Sequence, residues 1–131
     1  MKALGLDQVI ESIFKLDKKI RFVAILDHKY NPRESKMREG VTSLTPDQTD
    51  RDFATISTPV MLGAAEKLKP FCGDVRRITL RYDRVLLAVY RTAAHFVVLS
   101  VEPQVESDLL DKVSKTVREL ELGELQNSQR K

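Results

Sequence analysis

The sequence predicts an α+β domain in which one sheet is covered by helices on both faces. Three observations carry this prediction. The elements run helix, strand, strand, helix, strand, strand, strand, helix. The first strand and the last two are apolar on both faces, so each needs cover above and below. The helical segments carry apolar residues at steps of three and four, the pattern of a helix with one side on a core.

The first helix is read over residues 6–19, with Leu6, Val9, Ile10, Ile13, Phe14 and Asp17 on one side. Asp7 is placed to cap its start, and Lys15, Lys18 and Lys19 suit its negative end. Arg21 to His28 then reads as a central strand, and Tyr30-Asn31-Pro32-Arg33 as a turn. Ser35 to Val41 reads as a polar edge strand, whose Lys36, Arg38 and Glu39 oppose unwanted pairing.

Thr45-Pro46-Asp47-Gln48 has the form of a capping box, with proline at the first helical position. Phe53, Ile56, Val60, Ala64 and Leu68 make the main stripe of this middle helix, with core as the default reading. Ala54, Met61, Ala65 and Leu68 make a smaller second face. Pro59 lacks a backbone N–H and should kink or split the helix. Pro70 and Gly73 end it.

From Val75 to Glu102 three strands follow one another through tight turns. In the first, Ile78, Leu80 and Tyr82 alternate with Arg77, Thr79 and Arg81, as in an edge or half-exposed strand. Val85–Tyr90 and Phe96–Val101 are apolar on both faces, and Pro103 stops the last. Ser107 is placed to cap a final helix with Leu109, Leu110, Val113, Val117 and Leu120 inward. Gly123 is read as its end. The domain is therefore expected over 1–124, with 125–131 as a flexible tail. The middle helix should cover one sheet face and the two terminal helices the other.

The chain has 131 residues, one domain by length, with 42% apolar and 31% charged residues. Its 22 basic residues are interleaved with 19 acidic ones, for a net charge of +3. That balance makes a mixed solvated surface and disfavours nucleic-acid binding, which stays as a weak third reading. Cys72 is the only cysteine, which excludes an internal disulfide and a multi-cysteine zinc site. The N-terminal stretch lacks a long apolar run with a cleavage site, and Val85–Tyr90 is far too short to span a bilayer. A cytoplasmic protein without membrane insertion is the expectation.

No phosphate loop or dinucleotide fingerprint can be built around Gly5, Gly40, Gly63, Gly73 and Gly123. His28 and His95 read as solvated turn residues, and Cys72 as a structural thiol. No catalytic, cofactor-binding or metal residue is expected, so the protein is not read as an enzyme. Arg76, Arg77, Arg81, Arg84 and Arg91 are split between faces by the period of two, which weakens a single basic patch.

The meander "VRRITLRYDRVLLAVYRTAAHFVVLSVEP", entered from a long helix and followed by a last one, resembles the roadblock (dynein light-chain) domain family of profilin-like folds. "IRFVAILDHKYNPRES" matches that family's first hairpin, and the likeness covers about residues 6–121. The sequence is also similar to uncharacterised single-domain archaeal proteins. The resemblance implies a five-stranded antiparallel sheet in the order 2-1-5-4-3. It implies a homodimer in which middle helices pack together and third strands pair across a two-fold axis. It also implies a scaffold role, or binding to a Ras-like small GTPase. Ile56, Val60, Met61 and Ala65 on the middle helix and Arg77, Thr79 and Arg81 on the third strand are then the candidate interface. Pro59 departs from the family pattern. The alternative is a profilin-like sensor that holds a small ligand between the sheet and the middle helix near Pro59, in a pocket of roughly several hundred Å³ lined by the sheet face.

Overall fold

The computed structural model describes residues 5–105 and 107–129. Helix α1 (Leu6–Phe14) leads into β1 (Ile20–Asp27) and β2 (Pro32–Met37). A segmented middle helix follows: α2 (Asp47–Asp52), a π-helical turn (Phe53–Ser57), α3 (Thr58–Ala65), a 3-10 turn (Glu66–Leu68) and α4 (Lys69–Cys72). Then come β3 (Arg77–Arg81), β4 (Leu86–Arg91), β5 (His95–Val101) and α5 (Ser107–Gln129). The five strands form one sheet in the order β2-β1-β5-β4-β3, with every neighbouring pair antiparallel. This is the expected architecture. The three strands that are apolar on both faces lie in the middle, and the polar ones are the edges.

The register sorts the side chains into two cores. Val23 sits beside Leu99, and Leu99 beside Ala88, all facing α1 and α5. Val9, Ile10, Ile13 and Phe14 of α1 and Leu109, Leu110, Val113, Val117 and Leu120 of α5 close over them. On the other face Ala24, Val98 and Val89 stand in a row beneath Ala54 and Leu62 of the middle helix. Burying each larger aliphatic side chain contributes about 1.5–3 kcal/mol, so this two-sided cover is the main source of stability. Tyr90 is buried in the first core and donates its hydroxyl to the Leu110 carbonyl at 3.0 Å. Burial pushes that hydroxyl from 10.0 up to about 12.

Several boundaries differ from the sequence reading. Helix α1 stops at Phe14, short of Lys19, because Arg38 takes over its end. The Arg38 guanidinium donates to the carbonyls of Phe14 (2.7 Å), Asp17 (2.8 Å) and Ile20 (2.6 Å), and lies 4.9 Å from the Phe14 ring centroid. It is thus a helix cap and not an edge guard. At the other end of α1 the cap is Gly5, whose N–H is taken by Gln8 Oε1 at 2.8 Å, and Asp7 lies inside the first turn. Strand β2 begins at Pro32 and ends at Met37, a shift that a bulge at Ile25/Leu26 accommodates. Tyr30 in the hairpin takes a left-handed φ of 68° and stacks on Phe96 with centroids 4.7 Å apart.

The capping box at Thr45 does not form. Pro46 is itself the cap of α2, the Thr45 hydroxyl pairs with Asp50, and Gln48 reaches Asp52 at 2.9 Å. Helix α5 passes through Gly123 and runs to Gln129, into the stretch read as a tail. The proposed Ser107 cap lies outside the described side chains.

Replacing Arg38 by alanine should cost about 2–3 kcal/mol in urea unfolding, since charge-assisted bonds to buried-end carbonyls are lost. Lysine should recover less than half, because it lacks the planar fork. The raised pKa of Tyr90 gives stability that is complete below pH 10.0 and is lost as pH climbs towards about 12. Alkaline unfolding followed by circular dichroism should therefore be shallower in Tyr90→Phe, which should also lose about 1 kcal/mol at neutral pH.

Candidate functional site

The middle helix is where sequence and structure diverge most usefully. In an unbroken α-helix the N–H of residue 59 would bond to the Thr55 carbonyl, and proline has none to give. The chain answers with a π turn immediately upstream. The Thr58 N–H bonds to the Phe53 carbonyl, five residues back, and the buried Thr58 hydroxyl donates to the same oxygen at 3.0 Å. The extra residue turns everything downstream by about 100° relative to a regular helix.

As a result the buried positions are Ala54, Thr58 and Leu62, with Met61 and Ala65 half-buried beside them. The stripe read as core faces outward, apart from Phe53, which packs inward. Ile56 is 59% exposed, Val60 66%, Leu68 62% and Phe71 86%. Large apolar side chains are rarely left in such a row on a surface that meets only water. Of the candidate interface residues on this helix, Ile56 and Val60 share the outer stripe, whereas Met61 and Ala65 lie on its inner flank.

The third strand brings the other candidates to the open edge of the sheet. Arg77, Thr79 and Arg81 are exposed and pair with Tyr90, Ala88 and Leu86, which puts them on the α1/α5 side. Ile78 points to the middle helix and shares the core of Leu62, so stripe and edge are neighbours. Arg77 is partly committed already: it reaches Asp111 at 3.3 Å and Ser114 at 3.5 Å, and lies 6.0 Å from the Tyr90 ring centroid. Arg76 pairs with Glu121 at 2.9 Å and Arg91 with Glu66 at 2.6 Å. These arginines are neutralised one by one and do not form a basic face.

Of the remaining reactive residues, Asp27 and His95 hold local structure. Asp27 Oδ1 accepts the N–H groups of Asn31 (3.0 Å) and Lys29 (2.8 Å), bonds that hold its carboxyl below the usual range. His28 is exposed beside it, and Cys72, read as a structural thiol, is exposed at the end of α4. His95 is not a solvated turn residue. Its Nδ1 lies 2.6 Å from Glu124 Oε1. The Glu124 carboxylate also takes the Thr92 hydroxyl at 2.9 Å and the Ala94 N–H at 3.0 Å. This clamp fastens α5 to the β4–β5 hairpin and explains why the helix runs past Gly123. Among the described residues no group of three or more His, Cys, Asp and Glu could hold a metal, and no helix is long and apolar enough to cross a membrane.

A cleft of about 690 Å³ opens on the middle-helix side of the sheet. Its floor includes Phe22, Leu87 and Ser100, its roof Phe53 and Ala54, and its mouth the 43–45 linker. Pro59 does not line it, so the pocket lies nearer the start of the middle helix than expected.

Replacing Glu124 by alanine should leave the Ala94 N–H and the His95 ring without their acceptor, at about 2 kcal/mol. Amide exchange should then speed up over residues 121–129 while the sheet stays protected.

No protein-family model and no curated protein matches the sequence. Solved structures do. The gliding protein MglB from Thermus thermophilus superposes with a TM-score of 0.70 at 15% identity, over 92% of this chain and 93% of its own. An MglB with a tetrameric arrangement gives 0.67 at 16% identity, over 94% and 91%. A Roadblock/LC7 domain from Streptomyces avermitilis gives 0.63 at 12% identity, over 88% and 96%. At these identities the likeness is one of fold, and the chain has the Roadblock/LC7 fold along nearly its whole length.

Proposed function

We propose that this protein is a non-enzymatic, homodimeric scaffold or regulator that acts by binding other proteins, with a Ras-like small GTPase as the partner class. The observation that carries this reading is the outward row of Ile56, Val60, Leu68 and Phe71 on a middle helix whose inner side is already satisfied by the core. Under two-fold symmetry such a row meets its own copy, and the neighbouring open edge of β3 can pair with itself antiparallel. In this arrangement Ile56 and Val60 form the helical contact, with Met61 and Ala65 at its flank. Thr79 and Arg81 border the strand contact, and Arg77 lies at its margin. The roadblock-like sequence pattern and the shared fold support the GTPase class, and one protein of this fold has been solved in a tetrameric arrangement.

Light scattering coupled to size-exclusion chromatography tests the dimer. A dimer is expected at micromolar concentration, and Ile56→Asp with Val60→Asp should give a folded monomer, since both side chains are exposed. Burying what remains exposed of the two side chains on each copy supplies about 4–8 kcal/mol of gross contact, enough for its loss to be decisive. A strict monomer for the unaltered chain at high concentration would overturn the reading. The partner class is tested by titrating the chain against Ras-like GTPases loaded with GDP or a GTP analogue. Binding that differs between the two nucleotide states is expected.

A further inference from the structure

We propose that the open edge of β2 binds an extended segment of another protein as an added strand. The segment has apolar residues at alternate positions, followed by a lysine or arginine. This site is independent of the dimer, which would use β3 at the opposite edge of the sheet. Backbone bonds to the edge hold such a strand, and the side chains on one of its faces select it.

The register fixes which backbone groups are free. The Arg38 N–H donates to the Arg21 carbonyl at 2.8 Å, so these two residues are a hydrogen-bonded pair. In an antiparallel ladder such pairs alternate with pairs that do not bond each other. Lys36 with Val23 and Glu34 with Ile25 are therefore bonded pairs, whereas Met37 with Phe22 and Ser35 with Ala24 are not. The N–H and C=O groups of Ser35 and Met37 point away from β1, and β2 is the last strand on that side. They are the backbone donors and acceptors that an added strand pairs with.

The same two residues wall the cleft. Phe22 and Ala24 face the middle helix, and Met37 and Ser35 stand beside them on that face. Residues paired across a ladder share a face, so a partner residue opposite Ser35 or Met37 directs its side chain to the cleft side. The charges that would guard this edge lie on the other face. Glu34 and Lys36 stand beside Ile25 and Val23, and Lys36 pairs with Glu11 of α1. The edge is thus guarded towards α1 and unguarded towards the cleft. In the antiparallel sense of the rest of the sheet, the added residues lie opposite Met37, Lys36, Ser35 and Glu34 in turn. The first and third face the cleft and are apolar, the second is polar, and the fourth is the cation that Glu34 favours.

The test is a fluorescence anisotropy titration of the full chain into the labelled peptide Thr-Leu-Thr-Leu-Lys-Thr, acetylated and amidated. Saturable binding at one peptide per chain is expected, with a Kd below about 1 mM. Amide exchange should slow at least about tenfold at Ser35 and Met37 and stay unchanged at Lys36, whose N–H already faces β1. N-methylation of the two leucines should weaken binding at least about tenfold, while N-methylation of the threonine between them, whose N–H faces outward, should not. Ser35→Pro removes an outward N–H, which an edge strand tolerates, and should abolish binding. Glu34→Lys, at an exposed side chain, should weaken it by about 2- to 5-fold and serves if the proline variant does not fold. The proposal is overturned by absence of saturable binding, by equal loss from either N-methylation, or by unchanged binding in folded Ser35→Pro or Glu34→Lys. Loss of binding in Ile56→Asp with Val60→Asp would overturn it by placing the peptide on the outer stripe. A fall in solution mass in folded Ser35→Pro would do so by giving the edge to a second copy.

Discussion

The constraint on which the rest of this structure depends is that β1, β4 and β5 are apolar on both faces. A strand of that kind cannot sit at an edge or face water, so it must be central and be covered twice. The polar strands β2 and β3 are left with the edges. The terminal helices, whose apolar residues recur on one side, pair up over one face. The middle helix is left to cover the other alone. One helix spans a sheet of five strands less completely than two, and the open cleft lies on that more thinly covered face.

Much of this was legible in the sequence because burial and periodicity report the same thing. The inward residues of α1 and α5, from Val9 to Phe14 and from Leu109 to Leu120, all fall where a period of 3.6 places them. The alternation of Arg77, Ile78, Thr79, Leu80 and Arg81 is likewise seen in the exposure of β3. Failures occur where one local interaction outweighs the pattern. Arg38 ends α1 from 21 to 24 residues away, and the Glu124 clamp acts across 29 to 32. Neither pairing leaves a periodic trace. Gly123 is a reasonable stop signal by propensity, at about 1 kcal/mol against alanine. The three bonds to Glu124 exceed that cost.

The middle helix shows a different kind of failure. Its stripe at 53, 56, 60, 64 and 68 is real, and the reading erred only in which stripe faces the sheet. A proline predicts a defect but not its form. A kink would have kept the phase, whereas the π turn shifts it. The signal that could have distinguished them is Thr58, a small hydroxyl residue directly before the proline, whose hydroxyl adds a second bond to the Phe53 carbonyl at the π turn. The same phase shift buries Thr58 and puts Ile56 and Val60 outside.

The outer face of this helix changes character at the π turn. Upstream, α2 is Asp-Gln-Thr-Asp-Arg-Asp, with no buried residue. Downstream, α3 is Thr-Pro-Val-Met-Leu-Gly-Ala-Ala, without a charge. Covering a sheet requires apolar residues on the inner side only, and α2 shows that this chain readily makes a polar outer side when nothing else is asked of it. The demands of the core therefore account for Leu62 and leave Val60, Leu68 and Phe71 unexplained. Solubility argues against those residues, and helix propensity does not ask for a valine. What remains is a requirement from outside the fold, confined to the part of the helix that adjoins the open edge of β3. In the proposed dimer a second copy would meet both places at once, because one two-fold axis would bring helix to helix and edge to edge.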